Sequence, residues 1–501
     1  MPVNKYFYAA LISIIVAETL SFLSFNSRML TAFLFALILA AILFLSLKNI
    51  VYGLYIMLAE LFVGGKGYLF SLNISDTVIS LRIGIFIVIL GVWILLLLNK
   101  KINFWAFFKK IKSCPYILAG YTLLIFSVVY GLFIGSLKND FNNLFFDFNS
   151  WIFLLILPVG IISVNSEQAD KIMSIFFASV AWLSLKTIVV LNIFSYRFAY
   201  IGSPFYKWLR NTGVGEITYI SNDIFRIFFQ SQIYSLAAFF IFFALFLFYV
   251  RDKNLFGREK ISKNLFFITL FSILNTTTIL ISQSRSFWLA GLAAFIMTIA
   301  GFIYIFRLKK NLVVSVVVYT AILCVFSSIF IYLITKKTSL EIITARTSGV
   351  SARSSESSRK NQLEPLILAI SKKPFFGSGF GTTLTYKSSD PRILAASPQG
   401  KYTTYAFEWG YLDIWLKTGI VGLFFYLLFV LTIILKAAEQ FLIIEEEKKY
   451  LYCGLIAGLA ALLIANIFTP YLNHPLGMGY IILLVWIFAA DQARLSKNIS
   501  A

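Results

Sequence analysis

The side chains able to do chemistry in this chain are few, and most are charged groups inside or beside long apolar runs. Glu18, Glu60, Arg82, Lys186 and Arg285 each fall within or at the end of such a run. An ionisable group there is costly and is a functional candidate by default. The plainer alternative is that each snorkels or pairs structurally. As a set at one level, they predict a polar cavity open to one side. Arg285 stands in Gln283-Ser284-Arg285-Ser286-Phe287-Trp288, after the polar stretch Asn275-Thr276-Thr277-Thr278, so this hairpin is expected to face protein or water rather than lipid. Arg353 and Arg359 lie in the Ser-rich segment 351–360. A planar guanidinium suits bidentate contact with phosphate oxygens, whereas composition alone reads the segment as a solvated loop. Glu408 precedes Trp409-Gly410-Tyr411-Leu412. It is either a carboxylate favourably placed at a helix start or a general base at the membrane surface. His474 is the only histidine, which excludes a multi-histidine metal site. It ranks behind the others as a candidate, as do Arg82 and Lys186.

Other chemistries lack support. Pro374–Gly381 is glycine-rich, but a nucleotide-binding fingerprint needs a strand before it and a helix after it, and neither is predicted. Those glycines are expected to allow a tight backbone path close to a substrate. No Asp-x-Asp motif occurs, so a metal-dependent glycosyltransferase or phosphatase built on paired acids is unsupported. The serines of 351–358 lack a nucleophile-elbow context. Cys114, Cys324 and Cys453 are far apart and indicate neither a disulfide nor a metal site.

The elements that must position these groups follow from composition. The chain has 501 residues, of which 59% are hydrophobic and 13% charged, with a mean hydropathy of +0.85. A soluble domain carries roughly a quarter charged residues. The protein is therefore read as an all-α integral membrane protein, a polytopic bundle of about 12–14 transmembrane helices. At roughly 17–25 residues per span, fourteen candidates emerge: 6–25, 29–47, 49–63, 78–98, 115–135, 150–164, 172–195, 228–250, 265–281, 286–306, 312–335, 411–435, 450–468 and 476–491. The third, sixth and last are short enough to be re-entrant or interfacial. The first run lacks a small-residue cleavage site and reads as a retained helix.

Orientation follows from basic loops. Lys100, Lys101, Lys109, Lys110 and Lys112 fall in one connection; Arg251, Lys253, Arg258, Lys260 and Lys263 in a second; Arg307, Lys309 and Lys310 in a third. Simple alternation puts all three on one side, which the positive-inside rule makes the cytoplasm, with both termini. The net charge of +21 then reads as a topology signal rather than a nucleic-acid footprint. The expected organisation is 1–195 as N-terminal helices, 196–227 as an external loop, 228–335 as helices of the catalytic core, 336–410 as a large external loop, and 411–501 as C-terminal helices. The large loop is basic, with eleven Lys and Arg against five Asp and Glu. Part of it, 361–371, has helical apolar periodicity, and a loop this long is uncommon unless functional.

Four short matches give the chain a resemblance to the bacterial O-antigen ligase and O-antigen polymerase family of multi-span membrane glycosyltransferases. They are Asp223-Ile224-Phe225-Arg226 before the eighth span; Ser284-Arg285-Ser286-Phe287-Trp288-Leu289-Ala290; Arg353 and Arg359 followed by Lys373–Gly381; and Glu408-Trp409-Gly410-Tyr411-Leu412 leading to Gly419-Ile420-Val421-Gly422-Leu423. The matched core spans roughly 220–435. The ligase pattern has a histidine where this chain has Glu408, so the resemblance points to the polymerase branch.

The resemblance implies a GT-C-like enzyme at the periplasmic face of the inner membrane. Its donor would be a glycan on undecaprenyl pyrophosphate, transferred with inversion to a sugar hydroxyl. Glu408 would be the base, with Arg226, Arg285, Arg353 and Arg359 on the leaving pyrophosphate, and no metal or other cofactor is called for. Implied partners are the lipid-linked glycans, the bilayer, and a chain-length regulator or flippase; nucleic acid is not among them. Open alternatives are a ligase delivering finished glycan to lipid A core or protein, a polysaccharide flippase, and a catalytically dead scaffold within an export complex. The absence of an internal repeat speaks against a transporter.

Overall fold

A computed structural model describes residues 4–74, 77–101, 115–221, 223–251, 258–307, 310–348 and 350–500. Lys109, Lys110, Lys112, Lys253, Lys309 and Cys114 lie outside these residues.

Where lipid surrounds a chain, backbone polar groups must be satisfied internally, so apolar runs become helices. The N-terminal run gives α1 (Lys5–Ser24), α2 (Arg28–Lys48), α3 (Ile50–Val63), the hairpin β1 (Ser71–Ile74) and β2 (Thr77–Ser80), and α4 (Leu81–Leu98). Local capping starts them: the side chains of Asn4, Ser27, Asn49 and Ser80 accept first-turn amides. Next come α5 (Pro115–Lys138), α6 (Phe141–Phe148), a 3-10 turn at Trp151–Leu155, α7 (Ile156–Ser163), α8 (Ser166–Ser195), α9 (Ala199–Asn211), and the antiparallel hairpin β3 (Gly215–Ser221) and β4 (Ile224–Phe229). Then follow α10 (Ile233–Arg251), α11 (Arg258–Ser282), α12 (Arg285–Phe306) and α13 (Lys310–Thr335). The long connection contains α14 (Ser339–Ser348), α15 (Val350–Lys372), β5 (Leu384–Lys387), α16 (Pro391–Ala396) and β6 (Lys401–Thr404). The chain ends with α17 (Gly410–Phe441), α18 (Glu446–Ala465) and α19 (Pro475–Ser500).

Among the described residues, 12 helices are long and apolar enough to cross a membrane. The segment expected at 150–164 is instead a bent pair, Phe141–Phe148 and Trp151–Ser163, at 47°; the one at 49–63 is a short apolar helix. The protein is an all-α, multi-pass membrane protein. Burial separates its layers. In the spans Gln230–Arg251 and Pro475–Gln492, 83% and 89% of the most apolar stretch is buried, against 17% in Arg28–Lys48. The first two are the centre of the bundle, and α2 presents its apolar surface outward.

Four of the intramembrane charges are taken up in two pairs. Arg82 grips Glu60 with two bonds, Nε to Oε2 at 2.9 Å and Nη2 to Oε1 at 3.0 Å. Lys186 Nζ reaches Glu18 Oε1 at 2.6 Å, and Trp182 Nε1 donates to Oε2 at 2.8 Å. All four charged groups are buried. Both carboxylates border one cleft of about 570 Å³ between α1, α2, α3 and α4, lined mainly by apolar side chains.

The feature that orders the rest is a break in α17. Gly419 has φ 74° and ψ 177°, a conformation open to glycine, and a Cβ there would collide with Phe375 O. The backbone groups freed by the break are taken by the glycine-rich loop. Ser378 N donates to Leu416 O (2.7 Å) and Gly379 N to Lys417 O (3.0 Å); in return Ile420 N donates to Pro374 O (2.8 Å). On its other side Phe380 N donates to Gly131 O of α5 (3.1 Å), and Asn139 Nδ2 to Phe380 O (2.7 Å). The tight backbone path expected of these glycines is present, and it runs between two helices, α5 and α17. Gly377 shows why, since a Cβ there would lie 2.5 Å from Gly419 N.

A buried ionic group locks the same place. Lys417 Nζ sits 2.5 Å from Asp147 Oδ1 on α6 and 2.6 Å from Asp413 Oδ1 one turn earlier on α17. Asp147 Oδ2 accepts from Gly381 N (2.7 Å), and Asn473 Nδ2 donates to Asp413. Removing one partner of a buried pair costs about 3–5 kcal/mol, whereas replacing the whole group by apolar or neutral isosteres is often tolerated. Lys417→Met is therefore expected to lower the thermal stability of the purified protein sharply. The triple variant Asp147→Asn/Asp413→Asn/Lys417→Met should recover most of the loss, as read by unfolding in detergent.

Candidate functional site

The turn between α11 and α12 is the hub of the arginine cluster. Gln283 is buried with φ 46°, left-handed for a non-glycine residue. This tight turn points two successive carbonyls at guanidinium groups. Ser282 O accepts from Arg226 Nε (2.9 Å), and Gln283 O accepts from Arg346 Nε (3.0 Å). Gln283 Nε2 donates to Phe225 O (3.2 Å), tying β4 to the turn. Asn275, Thr277 and Thr278 below are buried, as expected of a hairpin facing protein. Arg285 opens α12 immediately beyond.

Helix α15 supplies the opposite wall. It spans the expected 361–371 and extends through the Ser-rich segment back to Val350, replacing the reading of a solvated loop. Arg285 Nη1 lies 3.6 Å from Glu356 Oε2, and Lys360 Nζ lies 3.0 Å from Glu356 Oε1. One turn on, Arg359 places Nε at 2.7 Å and Nη2 at 2.6 Å from Glu408 Oε2. Gln362 Oε1 accepts from Glu408 N (3.0 Å), and Trp409 Nε1 donates to Arg359 O (3.0 Å). Residues three apart on a helix are neighbours. Arg285 and Glu408 therefore meet the same helix one turn apart, each through an ion pair.

The electrostatics agree with this arrangement. Burial, followed by the like charges of Arg226, Arg285 and Arg359, pushes Arg346 down to about 10. Burial also lowers Arg226, whose ring contact is Phe228, 4.3 Å beneath the guanidinium. Side chains at the working face keep solvent access: Arg285 31%, Arg359 26% and Glu408 41%. The cluster can hold a dianionic group against several guanidinium faces with a carboxylate alongside. Among the described residues, no three His, Cys, Asp or Glu side chains gather to hold a metal ion.

Of the sequence-expected residues, Arg226, Arg285, Arg359 and Glu408 come together. Arg353 lies on α15, but its side chain is outside those described. Arg82 and Lys186 are in the N-terminal ion pairs, not in this cluster. His474 sits in the turn before α19 beside Asn473, next to the Asp413–Lys417 group. Sequence reasoning missed Arg346, Glu356, Asp147, Asp413 and Lys417. Asp413 and Lys417 were within reach, being charges four residues apart inside a predicted span. Arg346 carried no local motif, and its role appears only once α14 folds over the turn at 283.

Residues 268–427 match the family model described as O-Antigen ligase. This stretch contains Arg285, Arg346, Arg359 and Glu408 and bears out the resemblance drawn from the motifs. No curated protein matches the chain.

His474 gives a clean probe of this region. The residue is solvent-exposed, with protein close around it. Burial, then the cations Arg82, Lys66 and Lys417, lower its pKa from 6.5 to about 4. Between those values the unfolded chain binds more protons than the folded one, so stability falls as pH drops through this window. NMR of the single histidine should show no titration between pH 6 and 8, and unfolding temperature should decline toward pH 4.

Proposed function

We propose that this member of the O-antigen ligase and polymerase family is a polymerase that joins glycan repeat units at the extracytoplasmic face of the membrane. The observation that carries the reading is the run Arg285–Glu356 and Arg359–Glu408 along one turn of α15, with Arg226 and Arg346 behind it. It offers a carboxylate base beside fixed guanidinium groups, the two parts that glycosyl transfer from a pyrophosphate donor requires.

In this reading the acceptor hydroxyl attacks the anomeric carbon of a glycan on undecaprenyl pyrophosphate. The new C–O bond forms as the bond to pyrophosphate breaks, with inversion, and the electron pair leaves on the pyrophosphate. Glu408, oriented by Arg359 and Gln362, takes the hydroxyl proton. Arg226, Arg285 and Arg346, with Arg353 as a further candidate, stabilise the charge growing on the leaving group. The inner membrane, cytoplasmic termini and outward-facing long connection belong to this proposal, and they rest on the basic connections at 99–114, 251–264 and 307–310. With the site facing outward, a cytosolic nucleotide sugar is not the donor.

Ligation of finished glycan to an acceptor is the second reading, favoured by the description of the family match. Glu408 in place of the ligase histidine supports polymerisation instead. Gene deletion separates them: loss of a polymerase leaves single units on the carrier, and loss of a ligase leaves long polymer there. Glu408→Gln and Arg285→Ala are each expected to reduce glycan laddering about 10²-fold or more at normal protein abundance. Arg346→Ala should do the same more mildly. Full ladders from the first two variants would overturn the assignment.

A further inference from the structure

A second recess of about 480 Å³ lies where α8 turns into α9, against the β3–β4 hairpin. Its walls are aromatic: Phe194, Phe198, Tyr219 and Phe225. Phe225 is the centre of this group, with Phe194 at 5.9 Å and Tyr219 edge-on at 5.5 Å. At the mouth stand Arg197 and Asp223, Nη2 to Oδ1 2.6 Å apart.

Arg197 and Asp223 both adopt left-handed backbone, with φ 53° and 59°, as the cap that ends α8 (Phe198 N to Ile193 O, 3.1 Å) and the reversal of the β3–β4 hairpin call for. Two observations make the recess more than a surface dimple. First, the size and make-up fit a ligand pocket: apolar and aromatic walls with a few fixed polar groups. Second, strand alternation places the recess beside the arginine cluster. Successive side chains of β4 point to opposite faces. Phe225 lines the recess, and the next residue, Arg226, turns to Ser282 O.

We propose that this recess is a glycan-binding subsite that holds sugar units of the polymer away from the reacting bond. Pyranose rings present apolar C–H faces that stack on aromatic rings, and hydroxyl pairs that match a carboxylate or guanidinium edge. Charge selects against an anionic headgroup or free phosphate, because Asp223 neutralises Arg197 at the mouth. A neutral polyhydroxyl chain suffers no such repulsion. The inference rests on the glycosyltransferase reading for its ligand class, but it concerns residues outside the catalytic cluster.

The test uses full-length protein in nanodiscs and fluorescently labelled polysaccharide purified from the producing cells, with binding followed by anisotropy. Tyr219→Ala and Asp223→Asn, both at exposed positions, are each expected to weaken binding about 10-fold, the loss of one aromatic or charge-assisted contact. In cells the same variants should shorten the ladder without abolishing the first linkage. Unchanged affinity in both variants would overturn the proposal, as would altered membrane partitioning with glycan affinity intact, since the aromatics would then be interfacial anchors. Glu408→Gln serves as the control. Lost laddering with retained glycan binding supports both readings. Retained laddering with binding still weakened by Tyr219→Ala sinks the catalytic reading and supports the subsite.

Discussion

A helix broken inside a membrane must hand its freed backbone groups to protein, because lipid offers them nothing. At Gly419 that demand is met by one loop, and the rest of the site depends on the arrangement. Pro374, Ser378 and Gly379 exchange backbone bonds with both halves of α17. The loop is then fixed between α17 and α5. Because α15 ends just before it, and Glu408 lies just before α17, both arms of the ion pair Arg359–Glu408 are anchored through the same break. The Asp147–Lys417–Asp413 group clamps the joint from α6. A buried ionic group of this kind adds little stability relative to an apolar core, but it tolerates only one geometry. Here that geometry sets the carboxylate of Glu408 relative to the bundle.

The arginines pose the opposite problem, since like charges repel and a guanidinium does not escape by losing its proton. The fold answers with carbonyls and carboxylates of its own. The turn at 282–284 offers two main-chain oxygens to Arg226 and Arg346, and α15 offers Glu356 to Arg285. These partners position the cations. Each guanidinium carries five N–H groups, and a group held through Nε to a carbonyl keeps its terminal nitrogens available for another oxygen.

Much of the architecture was legible because lipid enforces a simple rule. Every predicted span corresponds to a helix, and two of the three flagged as short are the ones that prove irregular: α3, and the bent pair α6–α7. Charge pairing was not legible. Glu18 and Lys186 are 168 residues apart, and nothing local tells that they meet. The set of intramembrane charges that suggested one polar cavity resolves instead into two buried pairs and Arg285 at the hairpin. Arg226, Arg285, Arg359 and Glu408 could be nominated because each stands beside Ser or aromatic residues in a short motif. That they converge required α15 to extend back through a Ser-rich stretch whose propensity argued for loop, where packing against β5 and α17 outweighs local preference.

The balance of charge in the cluster argues for the kind of ligand it suits. Arg226, Arg285, Arg346 and Arg359 face three carboxylates, Glu216, Glu356 and Glu408, and Glu356 is shared with Lys360. The cluster therefore holds an excess of positive charge while remaining open to solvent at Arg285, Arg359 and Glu408. An arriving dianion offsets the mutual repulsion of guanidinium groups set in place beforehand, which adds to burial in depressing Arg346, and leaves little reorganisation to do. A neutral ligand gains nothing from this field, and a monoanion only part of it. Under the proposed function, the excess cation is where a pyrophosphate would rest, and the carboxylate one helical turn away is where a proton would leave.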